Sequence, residues 1–109
     1  MKTEQPILVT SIKAAVDIPQ SVFVSLAGNI ADATHLPIGV SNDSALAGDM
    51  IPVAVNGIVL VHTGATPVTA LSPVTSDANG LAIPSADASL TRGIALDDGT
   101  DSLIRVLLR

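Results

Sequence analysis

Seven prolines and eight glycines cut the chain into short segments, and this punctuation constrains the fold more than any other feature. Proline costs a hydrogen bond inside a helix or a central strand, and glycine weakens both. Between the breaks lie β-branched runs: Ile7 to Ile12, Ser21 to Leu26, Pro37 to Val40, Ile51 to Val55, Ile58 to Val61, Pro73 to Thr75, Leu81 to Ile83, Arg92 to Leu96 and Leu103 to Leu108. Short strands with evenly spaced turn signals predict an all-β fold, a small single-domain β-barrel or sandwich of antiparallel strands. Only Ser44 to Ala47 and Ser85 to Leu90 could make one or two helical turns, with Ser or Asp as a cap. Asn56-Gly57 has two readings: a tight hairpin between two strands, or a glycine kink within one longer strand.

The second half repeats the rhythm of the first. Val22-Phe23-Val24-Ser25, Gly28-Asn29-Ile30-Ala31, Pro37-Ile38-Gly39-Val40 and Ile51 to Val55 are followed in the same order by Ser72-Pro73-Val74-Thr75, Asn79-Gly80-Leu81-Ala82, Arg92-Gly93-Ile94-Ala95 and Leu103 to Leu107. Gly28 and Gly80 stand 52 residues apart, Gly39 and Gly93 54 apart. Two similar β-motifs, each covering the apolar face of the other, would produce this pattern. Chance resemblance between β-rich segments is the alternative.

At 109 residues the chain is one domain: an arm at 1–6 and a β-rich unit at 7–109. It has one Phe and neither Tyr nor Trp, while 48% of residues are apolar, so Val, Ile, Leu and Ala must fill the core. The net charge is −5, and the basic residues Lys2, Lys13, Arg92, Arg105 and Arg109 are scattered. Nucleic-acid binding needs clustered cations or aromatic stacking platforms, so no nucleic-acid partner is expected. The absence of cysteine excludes disulfides, zinc–thiolate sites and thiol catalysis. Met50 to Val61, the most apolar stretch, contains Pro52, Asn56 and Gly57 and falls short of the ~20 residues of a membrane helix. With no secretory signal visible, the expectation is a soluble protein without a membrane partner.

Catalytic chemistry finds little to work with. His35 and His62 are the only candidate bases, and no Gly-x-Ser-x-Gly elbow is present. The phosphate-binding glycine motifs are missing as well. Asp97-Asp98-Gly99-Thr100-Asp101 is the densest carboxylate cluster. It could offer oxygens to Ca²⁺, or be an acidic turn in which Asp starts the turn and Gly99 takes positive φ. These features predict a non-enzyme without cofactors.

The order Gly48-Asp49-Met50-Ile51-Pro52-Val53-Ala54-Val55-Asn56-Gly57, Val74-Thr75-Ser76-Asp77-Ala78-Asn79-Gly80, Arg92-Gly93-Ile94-Ala95-Leu96 and Ile104-Arg105-Val106-Leu107-Leu108 resembles the capsid decoration, or capsid cement, proteins of tailed bacteriophages. The resemblance covers residues 7 to 108 as a pattern rather than as a signature motif. It implies a β-rich protein on the outer capsid surface of the virion, made in the bacterial host cytoplasm. Its partners would be the major capsid protein and other copies of itself, as a homotrimer, and it would stabilise the shell by bridging capsid subunits. A β-rich binding or adhesion module of another phage or cell-surface assembly is the alternative.

No long glycine- or alanine-rich extension precedes the first strand. The arm is polar, and Pro6 biases Gln5 towards extended geometry. An extended segment can add to a partner's sheet edge through backbone hydrogen bonds. Lys2, Thr3, Glu4, Gln5 and Pro6 are therefore the candidate contact residues, expected to order against the capsid or a neighbouring copy; a frayed terminus is the alternative.

Overall fold

The computed structural model describes residues 5–32, 36–86 and 90–108. Its strands are β1 (Gln5–Lys13), β2 (Phe23–Val24), β3 (Gly39–Ser41), β4 (Met50–His62), β5 (Pro73–Ser76), β6 (Ala82–Pro84), β7 (Gly93–Ala95) and β8 (Leu103–Leu108). They form one eight-stranded sheet in the order β2-β3-β4-β8-β7-β5-β6, with β1 on β4. Every pairing between these strands is antiparallel. A parallel bridge from Thr63 to Ala82 returns β6 to the end of β4, so the sheet curls into a nearly closed barrel. The all-β expectation holds. Ser44 to Ala47 makes no helix, because Ile18 and Ala45 exchange both backbone hydrogen bonds, at 2.8 and 2.9 Å. In the other candidate helix, residues 87–89 lie outside the described residues.

Asn56-Gly57 is the kink, not the hairpin: β4 runs unbroken through it for 13 residues. Gly57 takes φ 99°, a conformation open to glycine and costly for other residues. The Asn56 Oδ1 accepts the Gly57 N–H at 2.8 Å. The β1–β4 register slips on both sides of the Leu8–Asn56 pair, which marks bulges there. The bend lets one strand serve three partners. One edge of β4 takes β1, while the other takes β3 at Val53 and Ala54 and then β8 from Gly57 to His62.

The repeat is structural. In the first half β2 pairs with β3 and β3 with β4, and Val24 bridges Ile30. In the second half β5 pairs with β7, β7 with β8, and β5 also with β6. Val24 faces Gly39 as Val74 faces Gly93. Both glycines sit under the next strand. A Cβ on Gly39 would overlap the Ala54 carbonyl and lie 2.9 Å from Val53 Cγ1; one on Gly93 would overlap the Leu107 carbonyl and lie 2.8 Å from Val106 Cγ1. Ser21 and Leu71, before β2 and β5, both adopt left-handed backbone, at φ 64° and 70°. Their N–H groups donate to Ser41 O and Ala95 O.

Strand alternation sorts the aliphatic side chains into two cores. Phe23, Ala31, Val40 and Ala54 join Val59, Val61, Val74, Val106 and Leu108 inside the barrel. From the opposite face of β2 and β4, Val22, Val24, Ile51 and Val53 pack on Ala14 and Ile18. Burying one such side chain fully contributes about 1.5–3 kcal/mol, so many small side chains replace the missing aromatics. Buried hydroxyls are satisfied locally. Ser41 Oγ donates to Pro19 O at 2.7 Å and accepts from Val22 N at 3.1 Å.

Candidate functional site

The structure brings no catalytic constellation together among the described residues. His62 closes β4 with an exposed side chain, and its backbone N–H donates to Ser21 O at 2.9 Å. His35 lies outside the described residues. No group of three or more His, Asp or Glu stands together among those described.

Two of the turn's carboxylates, Asp97 and Asp98, bond within the chain itself. Asp97 forms a two-point ion pair with Arg105, Nε to Oδ2 at 3.1 Å and Nη2 to Oδ1 at 3.0 Å, and accepts the Arg105 backbone N–H at 3.0 Å. The hydrogen bond and charge of Asp97 raise the Arg105 pKa above its ordinary value. Asp98 Oδ1 accepts the Ala70 N–H at 2.7 Å. The positive φ falls on Asp101, at 50°, and not on Gly99 as the turn pattern predicts. Gly99 is required for space instead, since a Cβ there would overlap Ile104 Cγ2 and reach within 2.9 Å of Ser102 Oγ.

Arg92 is the residue whose role the sequence did not disclose. It enters β7 half-buried and reaches across to the first half. Its Nε donates to Pro37 O at 3.0 Å, and its Nη2 to Ile38 O at 2.8 Å and Val55 O at 2.6 Å. Burial pushes its pKa below the usual guanidinium value. A planar fork of donors suits converging carbonyls in a way that lysine does not. Only the three-dimensional approach of residues 37–38 and 55 to position 92 reveals this, because the sequence signal is one isolated cation.

What remains is surface. Of the candidate arm, Lys2, Thr3 and Glu4 lie outside the described residues. Gln5 and Pro6 belong to β1 and pair with Ile58 and Gly57. β1 has β4 on one edge and no named strand on the other, with Leu8 and Val9 exposed. An open groove of about 580 Å³ is lined by Leu26, Leu36, Pro37, Ile38, Val55, Asn56 and Arg92. Another of about 420 Å³ lies between Asp17–Pro19 and Ser44–Leu46, with Asp49 at its side. Leu71 is the most exposed large apolar side chain among the described residues, at 79%.

Bare apolar residues and open grooves on an all-β unit, with Arg92, Asp97 and Asp98 bonded within the chain, are the surface features of the class of binding proteins. Within that class, the family model described as phage cement protein matches residues 1–109, and the chain belongs to that family. It is thereby a structural protein of the phage head, placed with the virion capsid. No curated protein matches it. Among solved structures it is similar to the N base of head fiber gp8.5 of bacteriophage phi29, with a TM-score of 0.76 and 15% identity over 94% of this chain and 93% of that one. At that identity the likeness shows a shared fold.

Proposed function

We propose that this protein is a non-enzymatic cement that binds the outer surface of a tailed-phage head and stabilises the shell by bridging major capsid subunits. The observation that carries the reading is the match of the cement family model to the whole chain. Two features fit it: many loop backbone groups bond within the chain, and apolar side chains such as Leu71 are left for partners. Each contact of so small a domain is weak, but a homotrimer would add contacts through high effective concentration. The protein would be made in the host cytoplasm and recruited to assembled heads.

The arm supplies part of the contact in this reading. β1 begins at Gln5 and Pro6, and in this reading Lys2, Thr3 and Glu4, which precede it in the chain, meet a capsid sheet or a neighbouring copy. The fold likeness to a head-fiber base favours one second reading, a binding module of another phage head assembly.

Heads lacking the protein, mixed with purified protein and imaged, test the proposal. Saturable density on the outer surface and a higher rupture temperature are expected; heads that stay bare would overturn it. Deleting residues 2–4 should lower occupancy while leaving the melting temperature unchanged. Unaltered occupancy would move the contact to the loops.

A further inference from the structure

The repeat exposes a contact that the molecule makes once and offers a second time. Ala14 N donates to Asp49 O as Thr63 N donates to Ser102 O, each at 2.8 Å, so Ala14 corresponds to Thr63 and Lys13 to His62. Along a strand, successive N–H groups point to opposite edges. The His62 N–H therefore turns away from β8, and it donates to Ser21 O at 2.9 Å. This bond joins the two halves, and Ser21 is buried beneath it, 5% exposed.

Ser21 corresponds to Leu71: both are left-handed, both precede the first strand of their ladder, and both donate to the equivalent carbonyl. Among the described residues, no donor meets Leu71 O and no acceptor meets the outward Lys13 N–H. Leu71 places an apolar side chain where Ser21 has a small covered one. A spare acceptor with a bare leucine thus sits on one half, and on the other a single spare donor, the Lys13 N–H, beside the Ala15 N–H that already donates to Gly28 O at 2.9 Å.

We propose that a second copy of this chain fills this position: β1 of one copy docks on the Leu71 turn of the next, Lys13 N–H bonding Leu71 C=O, as β4 docks on Ser21 within each chain. The occupant is a second copy because the chain already contains both members of the contact, in the backbone geometry they need. The two surfaces are different, so the association is head-to-tail and builds a ring if the rotation closes. The inference names the surfaces of the self-association contained in the capsid reading, and rests on that reading only for its biological setting.

The chain has no cysteine, which makes the test clean. Lys13→Cys and Leu71→Cys are both at exposed positions. Antiparallel pairs that exchange both backbone hydrogen bonds lie about 5.5 Å apart at Cα, within disulfide range; a single bond fixes the spacing less closely, and a short bismaleimide spans the difference. The mixture of the two single variants should give covalent dimers, in concentrated solution or on heads, and the double variant a ladder of larger species. Neither single variant alone should crosslink. No crosslinking of the mixture in either setting, crosslinks within one single variant, or only an intramolecular bond in the double variant would overturn the proposal. Binding to heads is read separately, so crosslinking without binding would leave this contact standing and refute the capsid reading.

Discussion

The two halves of the molecule carry the same ladder and differ in what covers it. In the second half the leading strand, the end of β4, has β8 on one edge and Ser21 and the Thr63–Ala82 bridge on the other side. In the first half the equivalent strand, β1, has β4 on one edge, Gly28 O bonded to the Ala15 N–H just past its end, and exposed Leu8, Val9, Thr10 and Ser11. Arg92 clamps three carbonyls where its counterpart, Ile38, offers one of them. Shared positions hold the sheet together, and divergent positions mark where a half meets something other than itself.

The comparison breaks most severely at its shared glycines. Gly39→Ala and Gly93→Ala each push a methyl into a neighbouring backbone carbonyl and should each cost about 3 kcal/mol of overpacking, read from urea unfolding. Equal losses sharpen the equivalence of the halves. One tolerated substitution would break it.

Arg92→Met should come next. Charge-assisted hydrogen bonds contribute about 1.5–3 kcal/mol each to stability, and these are partly buried and open to water from the groove, so a loss of about 2–3 kcal/mol in all is expected. Ile38→Val, at the counterpart position, should cost only about 0.5 kcal/mol. The same urea titrations compare them, and a larger effect at Ile38 would reverse the assignment of the clamp.

Asp97→Asn weakens a partly exposed ion pair, so the melting temperature should fall slightly at low salt and less at high salt. A large salt-independent loss would mean that the turn, rather than the charge, depends on Asp97. Smallest of all, His62→Ala should leave capsid occupancy within a few-fold of the parent, because His62 joins the halves through its backbone N–H. A folded His62→Ala variant that no longer decorates heads would show that the side chain itself is a contact.

Much of the fold is legible in the chain. The runs at Leu103 to Leu108 and Gly93 to Ala95 become β8 and β7, and the glycine offsets near half the chain length report a real duplication. The run Ser21 to Leu26 shrinks to Phe23–Val24, because Ser21 must turn left-handed to carry its carbonyl to the next half. Apolar patterning registers which face is buried, and it is silent about backbone torsions demanded by a partner distant in sequence.

The sequence by itself determined the class: punctuation by glycine and proline excludes long helices, and the aliphatic composition requires many short buried strands. Only the tertiary structure decided between kink and hairpin at Asn56-Gly57, turned an isolated Arg92 into a clamp, and left Leu71 bare where Ser21 is covered. Those outcomes depend on which carbonyls and strand edges meet across 37 to 55 residues of chain. Local preference cannot encode such meetings, because each is set by the sum of contacts in the closed sheet.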